Sequence, residues 1–361
     1  MSLSLSITSP YDNVLFVGPD YKNHRGGIGA VLSIYSKNIS PFNFIATNTY
    51  KNKLYEMLYF SGSLLRLFFL LVRNRQITIV HIHGAKDGSI LRKFFVGFVA
   101  KKLFARKIVF HIHAGAFDEC YQNGNPLYRF MCRFLVNNSE ALVVLSGRWN
   151  NFFEQNFRIR KLLVIKNPVE HKRPVLVSRK KDAEVVFLFL GRIADHKGIF
   201  DLVDLIVREQ KTLRGKCKFL IGGNHEVERL KNTIAEGGIG DLAEYIGWVQ
   251  DDEKDKFFYQ SDYFILPTYE EAMPMTILEA FSFGKPVITT PVGSIPEVVE
   301  NSKNGILFTP GDMNQLKKIL FDVIDDRSGY DCMRKHAMNT ATYYYPESIK
   351  SDLEKLYSEI S

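Results

Sequence analysis

Two glutamates eight residues apart stand out among the residues that can do chemistry. They are Glu271 and Glu279, in the stretch FILPTYEEAMPMTILEAFSFGKPVITTPVGSIP at 264–296. Carboxylates at fixed spacing can accept hydrogen bonds from hydroxyls or move protons. A guanidinium and an ammonium lie upstream in GRIADHKG, as Arg192 and Lys197; both suit a phosphate ligand, although solvated loop cations are the commoner fate of such residues. In HRGGIG, residues 24–29, Gly26, Gly27 and Gly29 let the backbone approach a ligand at a helix start. Leu32 breaks the full GxGxxG pattern, so a tight turn fits these glycines as well as a phosphate loop does. Two His-Ile-His runs, 81–83 and 111–113, put paired imidazoles on one face of each strand. Four histidines can ligate zinc or iron, but no Cys or carboxylate at ligand spacing joins them. Hydrogen-bonded places at strand ends are the expectation, and no metal is expected.

The elements that must position these groups read as an α/β alternation. Phe264 to Leu266 is a short apolar run ended by Pro267, as a buried parallel strand requires. An acidic loop carries Glu271, and a helix over 275–283 carries Glu279 about one turn in. Gly284 stops that helix and Pro286 opens the next strand, 287–289. The spacing therefore predicts one βαβ unit with Glu271 in the loop at a strand's C-terminal end, where ligands of open α/β sheets sit. The positive end of the helix dipole there favours phosphate, with Met275 and Thr276 offering N–H groups. Further apolar runs predict strands at 13–19, 42–47, 77–83, 107–113, 141–145 and 162–165. A second set runs 185–190, 217–221, 243–249 and 305–308. Helices are expected over 30–38, 55–74, 91–104 and 313–325, and a final amphipathic one over 348–360. This pattern argues doubly wound parallel sheets. Residues 170–183 read as a charged, Pro-containing linker.

The frame around the two glutamates comprises Pro267 before and Glu279, Ala280, Gly284, Pro286 and Val287 after. It resembles the retaining glycosyltransferases of family four. Two positions depart from that pattern: Ala272, where the family usually has Gly, and Met273, where it often has an aromatic. The resemblance implies the GT-B architecture, two Rossmann-like doubly wound parallel-sheet domains facing across a cleft. It divides the chain into an acceptor-side domain, 1–167, and a donor domain, 168–344, with the last helix, from about 345, packing back on the first. The boundary Asn167-Pro168-Val169 is similar to the family's. The resemblance also implies roles. Glu271 holds hydroxyls of a donor sugar, Glu279 the ribose, and Arg192 and Lys197 the diphosphate. Met275 and Thr276 meet phosphate, and the backbone near Gly222, Gly247 and Val249 meets the nucleotide. His113, followed by Ala114 and Gly115, faces the sugar; Gly26 and Gly27 lie near the donor phosphates; His83 is a plausible cleft residue. The implied reaction moves a sugar from a nucleotide-diphosphate-sugar to an acceptor hydroxyl with retained configuration. The implied acceptor is a lipid-linked or growing surface-polysaccharide glycan. The sequence has no Asp-x-Asp, the usual metal-binding signature of such enzymes, so no cofactor is expected.

Composition bounds the alternatives. At 361 residues, 46% hydrophobic and 24% charged, the chain suits two ordinary globular domains. Four unpaired-looking cysteines suggest reduced thiols in a cytoplasmic setting. The start, MSLSLSITSP, lacks the marks of a signal peptide. The most apolar stretch, 64–72, reads as too short to span a bilayer. Residues 1–167 carry 22 Lys and Arg against 8 Asp and Glu, a surplus of 14, within an overall charge of +8. A basic nucleic-acid-binding module is one competing reading, but no nucleic-acid motif accompanies the charge. A GT-B epimerase or phosphorylase is another. The run RKFFVGFVAKKLFARK, 92–107, interleaves cations with apolar residues. Read as one helix, it is a candidate for peripheral contact with an anionic membrane at the inner face of the cell.

Overall fold

The computed structural model describes residues 9–23, 26–49, 52–172 and 183–361. The first eight residues, two residues of the glycine loop (24–25), 50–51 and most of the expected linker (173–182) lie outside the described residues. The chain divides into two compact units, Met1–Pro168 with Tyr344–Ser361, and Val169–Tyr343.

The first unit runs β1 (Val14–Gly18), α1 (Gly27–Asn38), β2 (Asn43–Ala46), α2 (Lys53–Arg73), β3 (Ile79–Gly84) and α3 (Gly88–Phe98). It continues β4 (Lys107–Ile112), α4 (Phe117–Asn123), α5 (Pro126–Asn137), β5 (Ala141–Val144), α6 (Asn150–Asn156) and β6 (Leu162–Val164). The second unit runs β7 (Val185–Ile193), α7 (Ile199–Leu213), β8 (Cys217–His225), α8 (Val227–Glu236), β9 (Ala243–Gly247) and α9 (Asp251–Gln260). Then come β10 (Tyr263–Leu266), α10 (Met275–Ser282), β11 (Val287–Thr289), β12 (Gly305–Leu307), α11 (Met313–Asp325) and α12 (Tyr330–Thr342). The last helix, α13 (Pro346–Ile360), belongs to the first unit. Each unit is built on a six-stranded sheet, ordered β2-β1-β3-β4-β5-β6 and β12-β11-β10-β7-β8-β9. All the strand pairings are parallel, and the continuous apolar runs of β1 and β10 are buried on both faces, as parallel strands require.

Strand alternation sorts the first sheet's side chains into two faces. Leu15, Val17, Ile82 and Phe110 join Leu67 and Leu71 of α2, Val96 of α3 and Leu135 of α5 in one apolar core. Their neighbours Phe16, His81, His83 and His111 point the other way, toward α1 and α13. There His81 stacks on His83, with ring centres 4.4 Å apart, and on Phe16 at 5.4 Å. Tyr35 of α1 meets His83 edge-on, and the Tyr357 hydroxyl of α13 lies 2.5 Å from His81 Nδ1. Helix α13 is anchored there by Ile349, Leu353, Leu356 and Tyr357, all buried.

Several elements differ from the expectation. Strand β7 runs on through Gly191 and Arg192, so Arg192 is a strand residue and not a loop residue. Strand β8 likewise continues through Gly222 and Gly223 to His225, pairing Gly191 with Gly223 and Arg192 with Asn224. The pairing is possible because Gly223 has no side chain: a Cβ there would lie 1.9 Å from the Gly191 carbonyl oxygen. Helix α1 begins at Gly27, which places Gly27 and Gly29 inside its first turn. Helix α12 was not foreseen. Residues 92–107 are not one helix: α3 ends at Phe98, a π-helical turn covers Val99–Leu103, and β4 opens at Lys107. Its cations are largely engaged, too. Lys93 is buried and donates to Thr47, Lys101 pairs with Glu140, and Lys107 reaches the Ser361 carbonyl. The apolar stretch at 64–72 sits inside α2, a helix of 21 residues that is long and apolar enough to cross a membrane, so its expected shortness is overturned.

The histidine face sets a pH dependence. Burial holds the His81 imidazole down at about 3 and His83 and His111 well below the ordinary value of 6.5. In the unfolded chain these groups titrate near their ordinary value, so the unfolded state binds more protons below it. The stability their neutrality contributes is complete above 6.5 and is lost as pH falls from there toward about 3. Between pH 6 and 5, each such histidine should lower stability by about 1.4 kcal/mol per pH unit. In denaturant titrations across that window, His111→Gln is expected to reduce the slope by one proton. An unchanged slope in the variant would mean that His111 is not held neutral.

Candidate functional site

In the second sheet the unit's first strand, β7, lies in the middle. The chain proceeds outward to β8 and β9, then returns to β10 on the other side of β7. The junction of β7 and β10 is thus the topological switch point, and a crevice is expected off the C-terminal ends of these two strands. Those ends carry Arg192 with the loop to Lys197, and the loop from Pro267 to Pro274. Backbone contacts join the two loops: Tyr269 N donates to His196 O at 2.9 Å, and the Thr268 hydroxyl donates to the same oxygen at 3.2 Å. Gly198 adopts φ +67°, and a Cβ on it would lie 2.0 Å from Pro267 O. Only glycine permits that approach.

Glu271 and Lys197 are brought together at this junction. Lys197 Nζ lies 2.5 Å from Glu271 Oε1 and donates to Glu270 O at 3.1 Å. The side chains are 16% and 14% exposed, so neither charge is well solvated and each depends on the other. A third segment fixes the Glu271 backbone. Ser294 donates to Ala272 O through its N–H, at 3.1 Å, and through its hydroxyl. Gly293, at φ +61°, passes so close that a Cβ would lie 1.8 Å from Glu271 O.

Glu279 lies on α10 and is held by a different cation, Lys254 of α9, at 2.7 Å. The two glutamates are therefore separately neutralised. The first turn of α10 begins at Met275 after Pro274, and the N–H groups of Met275 and Thr276 have no intrahelical acceptor by the geometry of a helix start. The Arg192 side chain is exposed and makes no hydrogen bond or ion pair among the described residues, which leaves its guanidinium available to an anion. Gly222 faces Gly247 across β8 and β9 at an irregular register. A Cβ on Gly222 would lie 2.6 Å from Leu190 Cδ2, whereas Gly247, at φ +89°, has open space beside it. Val249 is buried and Trp248 exposed. Sequence reasoning missed Lys254, Gly293 and Ser294. The PVGS run that precedes Ile295 carried a turn signature, but nothing in it told that the turn would meet Glu271.

Gly26, Gly27 and His113 belong to the first unit. Gly26 caps α1 with extended backbone. His113 Nε2 lies 2.9 Å from His83 Nδ1, and Asn167 hydrogen-bonds its ring. Burial lowers His113 to about 3, against the opposing pull of Asn167; unlike the other three histidines it keeps some exposed surface. His83 is fully buried beneath Tyr35 and is no surface residue, contrary to expectation. Nor do His81 and His111 sit at strand ends: they lie inside the sheet with no exposed surface. Ring nitrogens of His81, His83 and His111 lie within 4.8 Å of one another, close enough for ligands of one ion. The rings are stacked side by side, however, at interplanar angles of 15° and 21° for two of the pairs, whereas chelation needs lone pairs that converge on a centre.

With this geometry in view, known proteins with similar sequence or structure can be compared. Residues 174–341 match the family described as glycosyl transferases group 1. A glycogen synthase of Mycobacterium tuberculosis is 24% identical over 196 residues, 54% of this chain and 47% of that one. The amylovoran biosynthesis glycosyltransferase AmsK of Erwinia amylovora is 29% identical over 195 residues, 52% and 48% of the two chains. The chain spans about half the length of these two relatives. Among solved structures, that of Anabaena HepE in complex with UDP-glucose superposes with a TM-score of 0.75 at 17% identity, over 96% of this chain and 99% of that one. At that identity the likeness speaks for the fold, which is GT-B.

The close approach of Gly293 to Glu271 is testable against a second left-handed glycine. Gly215 has φ +76° with nothing within 4 Å of its would-be Cβ. Gly215→Ala should cost about 1–2 kcal/mol, the backbone term alone. Gly293→Ala adds a collision with Glu271 O and should cost at least about twice as much. Denaturant unfolding of both variants reads the difference; equal losses would show that the turn does not pin the glutamate loop.

Proposed function

We propose that this chain, whose residues 174–341 match the glycosyl transferases group 1 family, moves a sugar from a nucleotide-diphosphate-sugar to an acceptor hydroxyl. The anomeric configuration is retained and no metal ion takes part. The acceptor is a lipid-linked or growing surface-polysaccharide glycan. The observation that carries this reading is the junction of β7 and β10, where the strand ends and their loops carry Arg192 and the paired Lys197 and Glu271, and the loop leads directly into α10 with Glu279.

Each group has a task in that reaction. The bond from the anomeric carbon to the diphosphate oxygen breaks, and a bond to the acceptor oxygen forms on the same face. The acceptor's proton passes to the departing phosphate. Charge grows on that phosphate, where Arg192, Lys197 and the N–H groups of Met275 and Thr276 supply a fixed positive field. Glu271 accepts hydrogen bonds from sugar hydroxyls, and Glu279 from the ribose. Retention here does not make Glu271 a nucleophile, although paired carboxylates serve that way in many hydrolases. The relatives support a polysaccharide setting: a glycogen synthase and an amylovoran biosynthesis enzyme. The fold neighbour's complex with UDP-glucose supports a nucleotide-sugar donor.

The two glutamates should fail differently. Glu279→Ala is expected to weaken binding of the nucleoside diphosphate itself. Glu271→Ala is expected to lower turnover without weakening that binding, because it leaves Lys197 free for the diphosphate. Loss of a group that acts on the leaving phosphate costs about 3–4 kcal/mol, on the order of a hundredfold or more in rate, and Arg192→Ala should show it. Calorimetry with uridine and guanosine diphosphates, followed by donor-consumption assays with and without chelator, separates these effects. Equal binding loss in both glutamate variants would sink the assignment of roles. Turnover abolished by chelator and restored by manganese would overturn the metal-free reaction.

A further inference from the structure

Helix α2 presents an apolar face to the outside as well as to the core. Ser63, Leu67 and Leu71 recur every fourth residue and are buried, as a helix on a sheet requires. On the opposite side Leu54, Leu58, Leu65, Phe69 and Val72 are 66%, 64%, 62%, 56% and 49% exposed. Aromatic contacts on its other sides tie α2 to its neighbours. Phe68 meets Phe104, with ring centres 5.2 Å apart, and Phe60 meets Phe95 of α3 at 6.5 Å. Phe94 of α3 meets Phe130 of α5 at 5.8 Å; Phe95, Leu103 and Phe130 all keep 42% or more of their surface exposed. Outward apolar surface on this scale marks an interaction site.

We propose that this outer face of the α2, α3 and α5 layer rests on an anionic lipid bilayer, with α2 lying in the plane of the headgroups. Charge selects this occupant. Within residues 53–107 the exposed cations are Lys53, Arg66, Arg73, Arg75 and Lys102, against Asp87 as the exposed acid. Arg66, Arg73 and Arg75 are exposed beside the stripe, where they can reach lipid phosphates while the leucines enter the acyl boundary. A second copy of the chain would oppose cation to cation across the same face.

The same observations decide against a crossing helix, although α2 is about 30 Å long and apolar enough. Its buried side is built into the unit's core through Leu67 and Leu71, and the Leu71 carbonyl accepts from Arg106. Spanning would tear these contacts out and place Arg66 near the hydrocarbon centre. The proposal stands on the first unit alone and does not depend on the reading of the second.

Flotation of the full chain tests it, with vesicles of phosphatidylcholine and of phosphatidylcholine mixed with phosphatidylglycerol. Wild-type protein is expected to float with the anionic vesicles, to bind them less at high salt, and to be released by alkaline carbonate. Leu58→Glu with Phe69→Glu should lower the partition coefficient at least about tenfold. Arg66→Gln with Arg73→Gln should lower it about tenfold on anionic vesicles only. Nucleotide binding and circular dichroism on the same samples separate lost lipid contact from lost folding. Three outcomes overturn the proposal: no flotation of folded wild type, binding indifferent to the Leu58 and Phe69 changes, or resistance to carbonate. A vesicle-free dimer that those two changes abolish, without vesicle binding by the wild type, would assign the face to a second copy instead.

Discussion

The site of the second unit depends on backbone meeting backbone without room for a Cβ. Gly198 closes on Pro267 and Gly293 closes on Glu271, each in a conformation that side-chain-bearing residues rarely adopt. These two approaches lock three loops from different parts of the chain into one rim: the Lys197 loop, the glutamate loop and the turn after β11. Only within that rim can a carboxylate and an ammonium, each less than a fifth exposed, sit at ion-pair distance. The backbone that carries these groups does not have to be reorganised when a ligand arrives, whatever contacts the side chains then exchange. The rigidity comes from glycine geometry, and the chemistry from the side chains that the geometry holds.

How much of this was legible in the sequence differs from element to element. The strand at 264–266, the helix behind it and the strand at 287–289 could be read almost to the residue, because an apolar run, a Gly stop and flanking prolines mark their ends. Arg192 was misplaced because Gly-Arg after an apolar run reads as a loop; strand β7 continues through it only because Gly223, thirty-two residues on, lets the neighbouring strand come close. No local pattern reports such a partner. The same holds for Lys254. It lies in a run of charges, DDEKDK, that looks uniformly solvated, and its place beside Glu279 is set by how α9 packs. Glu271 and Lys197 were each singled out, but as ligands for different parts of a substrate, not as partners of one another.

The first unit illustrates the opposite failure, in which composition is clear and its direction is not. Helix α2 was visible as an apolar helix, yet only the packing reveals that much of its apolar surface faces outward. The His-Ile-His strands were visible as same-face pairs, yet the face they occupy is the interior, under Tyr35 and Tyr357, where charge is disfavoured. Four imidazoles on a buried face are costly to protonate together. That makes the layer beneath α1 and α13 a block whose integrity depends on the histidines remaining neutral. Tyr357 ties α13 into that block through His81, so the C-terminal helix shares its dependence on pH.

The ion pairs of the second unit bear on how it could take the doubly charged donor proposed above while its half of the chain carries more acids than bases. Lys197 and Lys254 are each neutralised by a glutamate, so the ligand-free rim offers little net charge beyond Arg192 and the start of α10. Lys197 keeps one N–H beyond its bonds to Glu271 and to Glu270 O, so a diphosphate added while the pair stays closed would share the ammonium with a carboxylate that repels it. If the proposed donor binds, its sugar hydroxyls give Glu271 replacement hydrogen bonds, and Lys197 is released toward phosphate. The exchange conserves the number of charge-assisted contacts and couples recognition of the sugar to recognition of the diphosphate. A nucleotide lacking the sugar leaves Glu271 without those hydroxyls and so does not draw Lys197 away from it. On the proposed reading, selectivity for the intact donor over its free nucleotide would follow from one shared lysine.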